Sequence, residues 1–272
     1  MAVELADLID CLRLREVEPG VVEGKNLDIG YHRVFGGQIL AQVLTAASDA
    51  SPDKSVKSMH LLFPREGDTS KPMQYAVTKL QDGRTFGTTE VIASQDGKVI
   101  SAATLSMHVD EDGLHRSDAP PDVGTAEDAS AHDLAMVPWE VRIVGDVDLA
   151  DRAAGPPRLE LWMRAADATG GRAVHQALLA HATDLTLIGT ALRPFDGVSE
   201  ADSTVTLHTA VTSHSMWFHQ PFQIDDWLLL VQHSPVVANG RAFGRGDVFS
   251  RAGEVVASFA QESMVRSIEP SA

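Results

Sequence analysis

Two stretches of the chain, far apart in number, carry one pattern. Residues 82 to 109 read DGRTFGTTEVIASQDGKVISAATLSMHV, and residues 239 to 265 read NGRAFGRGDVFSRAGEVVASFAQESMV. With one residue of slack at the turn, Gly83, Arg84, Phe86 and Gly87 fall on Gly240, Arg241, Phe243 and Gly244. Val91, Gly97 and Val99 then fall on Val248, Gly253 and Val255. Each copy reads as a strand, a turn at Asp-Gly or Ala-Gly, and a second strand. A repeat of this length constrains architecture before any other argument, because each copy must be the same supersecondary unit.

Upstream of each hairpin lies a helical pattern, GGQILAQVLTAASDA at 36 to 50 and VHQALLAHATDLTLIGTAL at 174 to 192. Both are apolar around most of the circumference, which marks helices covered by a sheet rather than lying on a surface. Strands follow in each half: SMHLLFP then MQYAVTKL, and SMWFHQPF then WLLLVQHS. Each half is expected to be one buried helix wrapped by an antiparallel meander, the hotdog arrangement. The chain as a whole is then an α+β double hotdog with one continuous sheet, since edge-to-edge pairing also removes exposed edges. The Asp-, Pro- and Ala-rich stretch between the repeats reads as a linker. The expected boundaries are an N-terminal unit at 1–110, a linker at 111–133 and a C-terminal unit at 134–272.

The chain of 272 residues is 44% hydrophobic, enough for two real cores, and carries a formal net charge of -16. That acidity excludes a general nucleic-acid binder, which needs a basic face. A local arginine cluster can still hold an anion. Cys11 is the sole cysteine, so neither an internal disulfide nor a cysteine-built zinc site is expected, and a cytoplasmic setting fits. The N-terminal MAVELADLIDCLRL carries acids where a signal peptide needs a basic start. No apolar run approaches the roughly 20 residues of a membrane span, and the terminal SIEPSA is not a peroxisomal address. There is no GxSxG nucleophile elbow and no P-loop, and GGQ at 36 to 38 is too short for a dinucleotide fingerprint.

Asp184 is the residue that composition cannot explain away. It sits inside the apolar pattern HATDLTLIG, where an acid is costly unless it is hydrogen-bonded, paired or open to a cavity. Burial would raise its pKa into the range useful for base catalysis; the other reading is a cap at a helix end. Placing Gln176 on Gln38 and Leu178 on Leu40 sets Ala46 opposite Asp184, so one active site per chain is expected. Gln261, flanked by Ala260 and Glu262 in the last strand, either orients a water from an inward face or faces solvent. His214 and His219 lack further ligands at metal spacing, so no metal is expected. Arg241, Arg245 and Arg251 cluster on the C-terminal hairpin and read equally as phosphate partners or as ordinary solvated charges.

At these residues the chain resembles the acyl-CoA thioesterase II family of TesB-like double-hotdog proteins. The matching stretches are VFGGQILAQVL (34–44), HLLFPREGD (60–68), the DGRTF hairpin, VHQALLAHATDLTLIGTALRP (174–194), HSMWFHQPF (214–222) and VASFAQE (256–262). The resemblance implies hydrolysis of acyl-CoA to free acid and CoA without metal or cofactor, by water that Asp184 and Gln261 activate. It also implies a Thr or Ser hydroxyl in the strand before the HSMWFH segment, but that position is Val211, which has no side-chain donor or acceptor. Strand alternation offers Thr209 and Ser213, two residues to either side, as substitutes; Ser213 stands where the family usually has Asp. The first half departs too, with Thr88, Thr89 and Glu90 where basic residues are usual. Gly36, Gly37, Gln38 and Arg241 are the expected substrate-binding positions, with helix-start amides holding the oxyanion. Acyl-CoA is the expected partner, and a homo-oligomer through the sheets is expected. Two alternatives stand beside this: an acyl-CoA binder without turnover, and a hydratase that pairs Asp184 with His181 against an enoyl-CoA.

Overall fold

The computed structural model describes residues 3–134 and 137–268. Its N-terminal half runs α1 (Leu5–Cys11), β1 (Arg15–Glu18), β2 (Val21–Gly24), α2 (Gly36–Ala50), β3 (Ser55–Leu62), β4 (Met73–Asp82), β5 (Phe86–Gln95) and β6 (Lys98–His108). The C-terminal half runs β7 (Ser130–His132), β8 (Glu140–Ile143), β9 (Arg158–Arg164), α3 (Arg172–Thr183), α4 (Leu187–Leu192), β10 (Leu207–Phe218), β11 (Leu228–Ala238), β12 (Arg241–Ser250) and β13 (Val255–Ser267). The strands form one sheet of 13 in the order β1-β2-β4-β5-β6-β3-β10-β13-β12-β11-β9-β8-β7. Every hydrogen-bonded neighbour pair in it is antiparallel.

That order reads as a mirror about the β3–β10 junction, as a repeat requires. β3 answers to β10, β6 to β13, β5 to β12 and β4 to β11. At the junction Met59 pairs with Met216, so the methionines of the two Ser-Met sequences meet each other. The turn chemistry follows the sequence. Asp96 and Gly97 have φ of 48° and 72°, and Asn239 and Gly240 have 54° and 71°. Positive φ at both central residues is what a tight hairpin between right-twisted strands needs.

Each helix is buried because the sheet curls over it. Every residue of α2 from Gly37 to Leu44 is buried, while β5 alternates buried and more exposed positions along its whole length. One hydrophobic cluster extends from Leu8 through Leu40, Leu44, Leu178 and Leu179 to Phe259. The two halves therefore share a core rather than merely touching, and the architecture is the double hotdog. Among the described residues no helix is long and apolar enough to cross a membrane.

Two expectations are corrected. The helix expected over 174 to 192 is two helices, α3 and α4, broken at Asp184–Thr186. Thr183, Asp184 and Thr186 have side chains that compete for backbone hydrogen bonds and favour helix ends over interiors. The stretch expected as a linker over 111–133 is partly ordered. A 3-10 turn at Ala126–Asp128 is closed by reciprocal bonds between Thr125 and Asp128, and β7 pairs with β8 at the sheet edge. The cause is packing: Ala126 and Val123 cover Trp162, Leu229 and Phe249 on the outer face of the C-terminal sheet. Of SIEPSA, residues 269–272 lie outside the described residues, as do positions 135 and 136 of the C-terminal unit.

Candidate active site

The site begins with a close approach of the two helices. A Cβ on Gly37 would lie 2.5 Å from the carbonyl oxygen of His181 and 2.4 Å from the Phe35 ring. A Cβ on Gly36 would lie 2.6 Å from Oδ2 of Asp184. The bare backbone at the start of α2 therefore lets the end of α3 come against it, and Asp184 is lodged there. It is the C-cap of α3, with φ −85° and ψ −5°, and not an acid in mid-helix. Its side chain is 2% exposed. Burial pushes its pKa up to about 7, opposed by the Gly37 amide and the Arg33 charge. Oδ1 is buried with no hydrogen-bond partner among the described residues. An ionised oxygen left so is unstable unless something in the adjoining space completes it.

That space is a cavity of about 780 Å³ that both halves line. Phe35, Gly36, Ile39 and Phe63 come from the first, and Asp184, Leu185, Ile188 and Val211 from the second. Arg33 and Arg65 stand on its wall, as do Glu200, Ser203 and His208. Arg33 is bound to the Thr209 carbonyl at 2.7 Å and to the Tyr31 hydroxyl at 3.0 Å. Glu200 is half-buried, and its carboxyl is pushed up to about 7 by desolvation and by the charge of Asp148.

The strand side of the site departs from simple alternation. Val211 pairs with Ser263 and Ser213 with Glu262, so Thr212 is an extra residue bulged out of the β10–β13 ladder. Val211 and Thr212 both line the cavity, as does buried Thr209, whereas Ser213 does not. The expectation that Ser213 shares a face with Val211 is corrected: the bulge inverts the alternation beyond it. Thr212 is a cavity hydroxyl that alternation hides, and its Oγ1 donates to the Glu262 carbonyl at 3.0 Å.

Gln261 is buried opposite His214 on β10, and it does not line the cavity. Its Oε1 lies 3.1 Å from Nδ1 of His214, and its Nε2 donates to Ser263 Oγ at 3.0 Å. His214 Nε2 lies 3.1 Å from Thr183 Oγ1, and Nδ1 is 3.9 Å from Asp184 Oδ1. Asp184 and Gln261 are thus brought together through His214, which stands between them. Burial pushes His214 down to about 4, so its ring is neutral at pH 7. Set against a metal ligand, the sequence left His214 as a strand residue with satisfied ring nitrogens, and both nitrogens do have partners. Its place between Asp184 and Gln261 depends on the β10–β13 register, for which the sequence carries no signal.

The remaining expected positions scatter. Gln38 points into the N-terminal half, where Oε1 accepts from the Leu27 amide at 2.8 Å and Nε2 donates to Asn26 at 2.9 Å. It ties the helix to the β2–α2 connection instead of facing the cavity. Arg241 is exposed and paired with Glu262 at 3.3 Å, away from the cavity lining. His181 accepts from the Trp139 indole at 3.2 Å, is pushed down to about 3 by burial, and does not reach the cavity. Thr88 is half-buried and Thr89 fully buried on β5. Among the described residues no three His, Cys, Asp or Glu side chains converge on a metal-sized site.

Comparison with known proteins covers nearly the whole chain. Residues 25–108 match the acyl-CoA thioesterase N-terminal domain and residues 112–265 the acyl-CoA thioesterase C-terminal domain. The chain is 30% identical to acyl-CoA thioesterase 2 of Haemophilus influenzae, over 96% of this chain and 98% of that one. It is 30% identical to mouse acyl-coenzyme A thioesterase 8 over 86% of this chain and 80% of that protein. The crystal structure of an acyl-CoA thioesterase II from Mycobacterium marinum superposes with a TM-score of 0.82, at 31% identity, covering 96% of this chain and 99% of that one.

Proposed function

The chain belongs to the acyl-CoA thioesterase family and hydrolyses acyl-CoA thioesters; from that premise we propose that Asp184 is its general base. The observation that carries the assignment is the unpartnered, buried Oδ1 beside a cavity large enough for an acyl chain. Asp184 takes a proton from a water held in that cavity. The water oxygen bonds to the thioester carbonyl carbon, and the resulting oxyanion accepts from the Gly36 amide, which lines the cavity at the start of α2, where the helix dipole is favourable. The C–S bond then breaks, CoA leaves as thiolate, and the proton on Asp184 passes to the thiolate or to solvent. A base with a pKa near 7 is matched to this work at neutral pH.

Gln261 acts in this scheme through His214. Its amide fixes the neutral imidazole, and the imidazole in turn holds the end of α3 through Thr183. With valine at 211, Thr209 and Thr212 are the strand hydroxyls that reach the substrate. The experiment is thiol release from an acyl-CoA series by the wild type and Asp184→Asn. A loss of a hundredfold or more is expected, by the usual worth of a positioned base; undiminished release by the variant removes Asp184 from the mechanism. Val211 favours one second reading, a binder without turnover, identified by tight acyl-CoA binding with no thiol released. The hydratase alternative lacks its partner, since His181 is held by Trp139. We further read the chain as cytoplasmic, which its lone buried thiol Cys11 fits. We also read it as self-associating through the outer sheet face, where Leu62 and Trp217 stand exposed on neighbouring strands; light scattering at micromolar concentration tests this.

A further inference from the structure

Plain alkyl chains need only apolar walls, yet one wall of this cavity is polar. Glu200 opens a 3-10 turn, Glu200–Asp202, that Ser199 and Asp202 cap reciprocally. Residues three apart in such a turn eclipse one another, so Ser203 falls on the same face as Glu200, and both line the cavity. The turn is pinned to α4 by close packing: a Cβ on Gly189 would meet Glu200 Oε2 at 3.0 Å and Leu149 at 3.1 Å. The carboxyl therefore occupies a space that the chain has left free of side chain. Among the described residues the Glu200 carboxyl is in no ion pair, and Arg152 close by is taken by Asp202 at 2.9 Å.

Charge distinguishes the polar groups on the wall. Arg33 and Arg65 are its cations, Arg33 paired with Glu66 at 3.4 Å and Arg65 donating to the Val99 carbonyl at 3.0 Å. Glu200, with Asp148 near enough to raise its pKa, repels the phosphates of CoA, so the part of the substrate that suits it is the acyl group. We propose that Glu200 and Ser203 form a polar subsite within the acyl cavity that selects thioesters whose acyl group carries a hydroxyl over those with plain alkyl chains. A hydroxyl suits Glu200 whichever protonation state it holds, donating to the carboxylate or accepting from the acid. An alkyl chain leaves a desolvated carboxyl without a partner. A site built to hydrogen-bond a substrate hydroxyl discriminates strongly against the analogue lacking it.

This inference rests on the thioesterase reading of the same cavity. The test compares kcat/KM for straight-chain acyl-CoAs with that for their hydroxylated counterparts, in the wild type, Glu200→Leu, Glu200→Gln and Ser203→Ala, each checked for native circular dichroism. The wild type is expected to prefer a hydroxyacyl-CoA at least tenfold at one position along the chain. Glu200→Leu inverts that preference by raising the rate on plain chains, and the isosteric Glu200→Gln and Ser203→Ala reduce it partway. A hydroxyl-to-alkyl ratio that stays at the wild-type value in both Glu200 variants, or a wild type without preference at any position, overturns the subsite. Absence of thiol release from every acyl-CoA by the wild type is the different failure, that of the thioesterase reading, and takes the subsite with it.

Discussion

Asp184 is expensive to keep. Its pKa stands near 7 in the fold against about 3.9 in an unfolded chain. Below about pH 3 both states hold the proton and the residue is neutral in its effect. As pH rises toward 7 the unfolded chain ionises while the folded one resists, so stability falls, by at most about 4 kcal/mol once both are charged. Asp184→Asn is therefore expected to raise stability by up to a few kcal/mol at pH 8 and by almost nothing at about pH 3, read from urea midpoints at the two pH values. Activity moves oppositely: in a Glu200→Gln background, which removes the other group titrating near 7, kcat/KM falls as pH drops through about 7. Val211→Thr adds a hydroxyl to the cavity wall and is expected to raise kcat by about a hundredfold, the low end of what one such donor contributes. No gain in that assay means Thr209 or Thr212 already serves. The sequence showed Asp184 because an acid in an apolar pattern is conspicuous. It hid the direction of Gln38 and Gln261, since a polar residue type says nothing of which neighbour it meets.

At the scale of elements, strands and helices were legible from their periods, and the turn at residues 96 and 97 from Asp-Gly; the Asn239–Gly240 turn went unread although it carries the same signal. The two features that make the site were not. The bulged residue at Thr212 leaves a clean alternation only beyond it, from Ser213 to Phe218, so the pairing partner, Glu262 against Ser213, is what reveals the inversion. The break after Thr183 was only one of two readings, because Thr and Asp favour helix ends while the apolar pattern runs on past them to Leu192. What fixes it is tertiary: the backbone of α2 approaching at Gly36 and Gly37. Gly37→Ala puts a methyl 2.5 Å from the His181 carbonyl, so the helices must part. We expect a loss of about 1–3 kcal/mol in stability, the usual cost of overpacking, with a fall in kcat larger than the change in KM.

The whole molecule is the scale at which sequence said most, because a repeat dictates symmetry whatever the details. It did not say that the repeats share one core, nor that the stretch between them covers the outer sheet face. Residues 1–110 expressed alone would leave β3 without β10 and one side of α2 without α3. An unpaired strand at the middle of a sheet seeks a copy of itself, so that fragment is expected to be a dimer or an aggregate by light scattering, never a stable monomer. The meeting of Gly36 with Asp184 has a thermal consequence. The proposed base and the α2 backbone that faces it ride on separate helices, so a slight parting of those helices would disarm the enzyme while every strand stays zipped. Heating should extinguish turnover several degrees before the β-sheet signal melts.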